Sequence, residues 1–293
     1  MTNERERAVC LSDKDFKFIC QYVYEAAGIV LNGGKREMVY RRLTRIVRDR
    51  NLDSFTSYCK LLRASPNEEK TYFINAITTN LTSFFREHHH FEYLLQKELP
   101  KLLSTNPGPN RRKGDKRLRI WSCATSTGEE PYSIAITLLE GMKALSTQWD
   151  VKILATDIDS NVLATASNGI YENKRIEDVP ANYQKKYFHK GRGDNVSKVK
   201  VDQKLQELIT FKQLNLLHEW PMKGPFDVIF CRNVIIYFDK PTQQDLFARY
   251  YEMLSPGGLL ILGHSENLGA YQKYFENVGR TIFRKPIDAN LLG

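Results

Sequence analysis

An α/β fold preceded by an all-α domain is what this sequence predicts, on three observations. Leu118-Arg-Ile-Trp121 alternates apolar with polar, small residues run from Ser122 to Gly128, and Ile134, Ala135, Ile136, Leu138 and Leu139 follow as an apolar stretch. That order reads as strand, turn and helix. Strand–helix units recur downstream, as in a mainly parallel sheet covered by helices. Before residue 85, by contrast, apolar residues repeat only at helical spacing.

Taken in order, Ser12-Asp-Lys-Asp15 offers a capping box, and Phe16, Ile19, Cys20, Val23 and Ala27 form the stripe of a first helix that Gly28 stops. Asn32-Gly33-Gly34 is a turn. A second helix spans about Lys35 to Arg50, a third contains Phe55, Tyr58, Cys59, Leu61 and Leu62, and a fourth runs from Glu68 to Thr79. Residues 1–88 are therefore assigned to a helical domain. Asn80-Leu-Thr-Ser-Phe-Phe-Arg86 mixes polar residues with buriable rings, an odd composition for a tether. A helix over Phe91–Leu103, then Asn106-Pro-Gly-Pro-Asn110 and a basic run, make residues 89–116 a linker.

Residues 117–293 form the α/β domain. Strands are expected at Leu118–Ser122, Val151–Thr156, Ile209–Leu214, Phe226–Cys231, Leu259–Leu262 and Thr281–Arg284, with helices at about Tyr132–Lys143, Ser160–Ser167 and Thr242–Leu254. Residues 171–208 break the alternation. Gly191-Arg-Gly193-Asp, between an aromatic run and Val196-Ser-Lys-Val-Lys-Val201, reads as the hairpin of a small antiparallel insert.

Composition excludes several classes. Hydrophobic residues at 42% and charged residues at 26% are those of a folded globular chain. No apolar run approaches the ~20 residues that cross a bilayer, and Met-Thr-Asn-Glu-Arg-Glu-Arg lacks the apolar core of an export signal, so a cytoplasmic location is expected. The five cysteines form no C-x-x-C, so neither a zinc site nor a disulfide framework is expected. His88-His89-His90 would point in three directions on a helix, and no metal is expected there. The net charge of +9 favours acidic partners. Much of it lies on the second helix, where Arg41, Arg45 and Arg48 share one face and Arg42 lies beside them. This row reads equally well as a solvated face or as a docking stripe for an acidic surface.

Chemistry belongs at the carboxyl ends of the parallel strands. The polar residues there are Ser122 to Glu129, Asp157, Asn215, Arg232, Asn233 and Tyr237. The first turn has one glycine, Gly128, and no G-x-G-x-x-G, so it is not built for dense phosphate contact; an ordinary strand-to-helix connection also fits it. Asp157 can accept two hydrogen bonds from a ribose diol, or it can cap the next helix, as Asp159 or Ser160 could equally do.

Six motifs carry a resemblance: Thr79-Asn-Leu-Thr-Ser-Phe-Phe-Arg-Glu87, Ser126-Thr-Gly-Glu-Glu-Pro-Tyr-Ser-Ile-Ala135, Ala155-Thr-Asp-Ile-Asp159, Asn215-Leu-Leu217, Phe230-Cys-Arg-Asn-Val-Ile-Ile-Tyr-Phe-Asp239 and Gly263-His-Ser-Glu266. Along nearly its full length the chain resembles the CheR family, chemotaxis receptor glutamate O-methyltransferases. The resemblance implies an S-adenosylmethionine-dependent, Rossmann-like methyltransferase sheet with a three-stranded antiparallel insert, and methyl transfer to glutamates of methyl-accepting chemotaxis receptors, with S-adenosylhomocysteine as product. Carried over by position, Asn80, Thr82 and Arg86 meet the methionine end of the cofactor, Glu129 lies along its wall and Asp157 holds the ribose. Asn215 and Leu216 border the adenine, Arg232 and Asn233 lie near the methionine moiety, and Arg86 and Tyr237 flank the transferred methyl. Ser122-Cys-Ala-Thr departs from the small, often glycine-containing turn of relatives.

The resemblance also implies partners. Arg41, Arg42, Arg45 and Arg48 would dock the receptor's cytoplasmic helical bundle, and the insert with Gly191 and Gly193 would bind a receptor C-terminal peptide by strand addition. A monomer is expected, with no nucleic acid and no membrane insertion. Two other readings compete with this one. A nucleic-acid methyltransferase acting on base amines often carries Asn-Pro-Pro-Tyr, whereas Asn233-Val-Ile-Ile-Tyr237 has no proline. Against a non-catalytic sensor of S-adenosyl ligands or a nucleotide messenger stand Arg86 and Tyr237.

Overall fold

The computed structural model describes residues 9–103, 116–143 and 149–287. The helical domain comprises α1 (Asp13–Ala27), α2 (Arg36–Asp49), α3 (Phe55–Ala64) and α4 (Pro66–Ile77). Ser12 caps α1, its Oγ accepting from the Asp15 amide at 3.1 Å, and Ser54 caps α3 in the same way through Ser57. Pro66 sits in the first turn of α4, where its missing N–H costs nothing. The apolar stripes converge on one core built around Ile19, Val23, Leu43, Val47, Leu62 and Phe73.

The helix expected as a linker is α5 (His89–Tyr93) and α6 (Leu99–Leu102), joined by one π-helical turn over Leu94–Glu98. It packs on the sheet: Phe91, Leu94 and Leu99 are buried in the same core as Leu118, Ile120 and Phe230. The Asn106–Asn110 link and the basic run that follows it lie outside the described residues.

From residue 117 the chain runs β1 (Arg117–Cys123), α7 (Glu129–Met142), β2 (Asp150–Asp157) and α8 (Ser160–Asn168). The insert follows as β3 (Ile170–Glu172), α9 (Ala181–Tyr187), β4 (Phe188–Lys190), β5 (Lys198–Val201) and α10 (Gln203–Gln206). Then come β6 (Ile209–Gln213), β7 (Phe226–Cys231), α11 (Lys240–Met253), β8 (Leu254–Leu262), β9 (Glu276–Gly279) and β10 (Ile282–Arg284). The main sheet has the order β6-β2-β1-β7-β8-β10-β9. Strands β6 to β8 are parallel, and β10 is antiparallel to both of its neighbours. The chain winds outward from β1 to β6, then crosses back to β7. The order therefore reverses between β1 and β7, which opens a crevice at their carboxyl ends.

The period-two alternation of the central strands serves two cores. Leu118, Ile120, Val228 and Phe230 face one, while Trp121, Cys123, Ile229 and Cys231 face the other with Leu246, Phe247 and Tyr250 of α11. The insert is a three-stranded antiparallel sheet, β3-β5-β4, with its hairpin where expected. Of its aromatic run, however, Tyr183 and Tyr187 lie on the helix α9, and Phe188 begins β4. Strand β9 is an unforeseen element. Glu-Asn-Val-Gly carries no apolar alternation, and its pairing with β10 is what makes it a strand.

Candidate active site

The turn after β1 is shaped by left-handed backbone. Ala124 and Ser126 have φ of 51° and 52°, and Gly128 has φ of 98°. A Cβ on Gly128 would lie 2.7 Å from Ala166 Cβ and 2.9 Å from Tyr171 Oη, so glycine is needed there for space and for conformation. Ala124 and Ser126 thus hold without glycine a conformation that glycine adopts most readily. Five of the seven non-glycine residues with positive φ among the described residues, Phe85, Glu87, Ala124, Ser126 and Asn233, lie on segments that meet here. Backbone strain of this kind collects at functional sites.

The Ser126 amide donates to Asp157 Oδ2 at 2.8 Å, and its hydroxyl donates to the Asn80 carbonyl at 2.9 Å. The Asp159 amide donates to Asp157 Oδ1 at 2.9 Å. Asp159 itself caps α8, accepting from Asn161 and Val162, so Asp157 is not the cap. Burial pushes the Asp157 carboxyl up to about 6, against the pull of those amide donors.

Above this turn lies a cavity of about 490 Å³, within the ordinary range for a small-molecule site. Three parts of the chain wall it: Ala27–Leu31 with Met38, Arg41 and Arg42; the segment from Ile77 to Ser83 with Arg86; and the loops at the carboxyl ends of β1, β2, β6 and β7. Asn80, Thr82, Arg86, Asp157, Asn215, Leu216, Arg232, Asn233 and Tyr237 all line it. Asn80 is held by its Nδ2 donating to Asp159 Oδ2 at 2.8 Å, and Asn215 by its Nδ2 donating to the Ala26 carbonyl at 2.9 Å. The Val30 amide donates to the Tyr237 carbonyl at 2.8 Å, which ties the first helix's exit to the far wall.

Glu129 is the exception. It is fully buried beneath the insert, ion-paired with Arg175 and accepting from Thr127 Oγ1 at 2.6 Å. One residue further along α7, the helical turn of about 100° brings Glu130 to the cavity instead. Two consecutive glutamates at a helix start look alike in sequence; only the facing surface separates them. Glu130 accepts from Ser122 Oγ at 2.7 Å and from Arg232 Nη1 at 3.1 Å. Burial raises its carboxyl above the usual range despite Arg232 and Ser122.

Arg232 is a strut. Its side chain is 2% exposed, its Nη2 lies 3.6 Å from Glu87 and donates to the Arg86 carbonyl, and its guanidinium covers the Phe91 ring. Arg86 is half-buried and donates one Nη1 bond to the Leu81 carbonyl at 2.8 Å. It is the cation at this end of the cavity best able to take a ligand's carboxylate. His90, by contrast, is buried and faces the Arg280 carbonyl and Thr281 Oγ1; burial, helped by Arg232, pushes its ring down to about 3.

On α2, Arg41 and Arg45 are 74% and 87% exposed and make only long contacts with Glu37 and Asp49, at 3.5 and 3.7 Å. Such pairs hold little energy and leave the charges available. Arg48 is exposed as well. Arg42 departs from the expected stripe: it turns inward, donating to the Ile77 and Thr78 carbonyls at 2.6 and 2.8 Å, which caps the end of α4. Gly191 and Gly193 lie on the insert hairpin and do not line the cavity.

Comparison with known proteins agrees with this geometry. The description "CheR methyltransferase, SAM binding domain" matches residues 80–284, and "CheR methyltransferase, all-alpha domain" matches residues 14–78. This chain belongs to the CheR methyltransferase family. It is 44% identical over 277 residues to the chemotaxis protein methyltransferase of Salmonella typhimurium, covering 94% of this chain and 91% of that one. It is 44% identical over 271 residues to chemotaxis protein methyltransferase 2 of Pseudomonas aeruginosa, covering 92% of each chain. With the Escherichia coli chemotaxis protein methyltransferase it shares 43% over 277 residues, 94% of this chain and 92% of that one. The CheR chain described here is thus an S-adenosylmethionine-dependent methyltransferase, and its cavity fits that cofactor. A turn with few glycines suits a ligand without phosphate, Asp157 suits a ribose diol, and Arg86 with Glu130 suits an amino-acid head group. No described helix is long and apolar enough to cross a membrane.

Proposed function

We propose that the protein transfers a methyl group from S-adenosylmethionine to glutamate side chains on the cytoplasmic helical bundle of chemotaxis receptors, giving glutamyl methyl esters and S-adenosylhomocysteine. One observation carries the substrate class. Arg41 both lines the cavity and belongs to the exposed basic row with Arg45 and Arg48, so an acidic surface laid on α2 brings a carboxylate to the cavity mouth.

The bound cofactor supplies a sulfonium methyl group as electrophile. A glutamate carboxylate is already ionised at neutral pH and needs no general base. Its oxygen would form the new O–C bond as the methyl's bond to sulfur broke, with S-adenosylhomocysteine as the leaving group. Opposite charges vanish in that step, so a partly dry cavity favours it. The chain's own contribution is alignment, which can be worth roughly 7–11 kcal/mol at best. In this reading Asp157 holds the ribose, Leu216 borders the adenine, Arg86 and Glu130 take the amino-acid end, and Tyr237 orients the incoming carboxylate. Strand β4 is an edge of the insert sheet, with His189 and Lys190 exposed, and supports the reading that a receptor C-terminal peptide adds there.

Incubation with methyl-labelled S-adenosylmethionine and receptor-bearing membranes tests the proposal. Label on receptor that is released as methanol by mild base is the expected result. Base-stable label, or none with binding of product intact, overturns it.

A further inference from the structure

Among the acids of the quoted motifs that the reading above leaves without a role are Glu87, which ends the segment from Thr79, and Glu266, which ends Gly263-His-Ser-Glu. Both meet at one residue. Glu266 is 5% exposed, and its carboxylate gathers four backbone amides. Oε2 accepts from Asn233 at 2.9 Å and from Gly263 at 2.7 Å; Oε1 accepts from Ile235 at 2.8 Å and from Ile236 at 3.4 Å. These amides belong to the turn after β7, which carries Asn233 and Tyr237, and to the loop after β8. A carboxylate has about four lone-pair sites, so this one is saturated.

Asn233 stands in the left-handed conformation, with φ of 58°. Its side-chain Nδ2 donates to Glu87 Oε1 at 3.3 Å. Glu87 also accepts from the His264 amide at 3.1 Å, contacts His264 Nδ1 at 3.2 Å and faces Arg232 at 3.6 Å. The loops approach so closely that a Cβ on Gly263 would lie 2.5 Å from Asn233 Nδ2 and 2.8 Å from its backbone nitrogen. Glycine is therefore the residue that admits the clamp.

We infer that Glu266 and Glu87 are positioning residues that clamp Asn233 from its backbone and side-chain ends, holding the cofactor wall ready before ligand arrives. The inference rests on the cofactor reading of the cavity. Glu87 adds a second tie, because it is contiguous with Arg86 and so registers the 79–88 segment against the β7 and β8 loops. Without the clamp, a strained turn ending in Tyr237 has no reason to keep one conformation.

Calorimetric titration of the full-length protein with S-adenosylhomocysteine separates positioning from folding. Stoichiometry counts competent molecules, whereas Kd reports the geometry of the site. Glu266→Gln and Asn233→Ala should each weaken Kd about tenfold at unchanged stoichiometry. The double variant should bind no more weakly than Asn233→Ala alone, since Glu266 acts by placing the backbone from which the Asn233 side chain projects. Glu87→Gln, at the opposite end of that side chain, should show the same non-additivity, and it decides the matter should Glu266→Gln fold poorly. Losses that multiply in both double variants overturn the clamp. So does a lowered stoichiometry with Kd unchanged, the signature of a merely structural role. Absence of heat with the unmutated protein removes the cofactor reading and the clamp with it, whereas unmutated binding with unaffected variants removes the clamp alone.

Discussion

Asp157 combines burial, two amide donors and a carboxyl raised to about 6. Its titration gives the site a pH dependence whose sign follows from the direction of the shift. The ionised form accepts from a ribose diol, and protonation removes an acceptor. Affinity for S-adenosylhomocysteine should therefore be flat above about pH 7 and fall as pH drops through about 6, by at most about tenfold per pH unit. Asp157→Asn should bind more weakly and show a shallower slope, what remains belonging to Glu130, whose carboxyl burial also raises, and an affinity of the unmutated protein that stays constant between about pH 5 and 8 would refute the role. Tyr237 gives a second prediction. If its hydroxyl orients the nucleophile, Tyr237→Phe should lower kcat at nearly unchanged Kd for product; unchanged turnover removes that role. At this scale the sequence was readable where a residue's motif fixes its neighbours. Asp157 and Asn233 lie against the cavity as expected, while Glu129 and Glu130 exchange places because a helical phase of about 100° is set by packing, not by composition.

At the scale of the element, α2 shows how one helix divides its charges. Arg41, Arg45 and Arg48 face water, and Arg42 reaches back to the carbonyls that end α4. Arg42→Ala should therefore cost about 1–3 kcal/mol of stability, because two helix-end acceptors lose a charged donor. Arg41→Ala with Arg45→Ala should leave stability within about 0.5 kcal/mol, since exposed pairs contribute little. Denaturant unfolding of the two variants distinguishes them, and equal losses would mean that Arg42 is only one more surface cation. The sequence spaced these arginines correctly but could not say which one a neighbouring helix end would engage. Strand β9 shows the same limit, since its four residues carry no pattern of their own.

Across the whole molecule, the cavity belongs to no single domain. The exit of α1 and the inner face of α2 close it from one side, the 77–86 segment from another, and the strand ends form its floor. The basic row of α2 thus sits beside the mouth, and receptor binding should be electrostatic in range. Affinity for receptor membranes should fall as salt rises and the Debye length shortens below about 8 Å. That salt slope should shrink in an Arg45→Ala, Arg48→Ala double variant while product Kd holds, since neither residue lines the cavity; an unchanged slope would place docking elsewhere. By itself the sequence determined most of the element types and their order, the strand–turn–helix at Ser122 to Glu129, and the set of polar residues at strand ends, because periodicity and turn chemistry are local. Only the tertiary structure decided which of two adjacent glutamates faces the cavity, which arginine turns inward, and that Glu87 and Glu266 grip one asparagine from two loops. Those outcomes depend on segments separated by up to 179 residues, from Glu87 to Glu266, meeting at one point, and no local pattern encodes such a meeting.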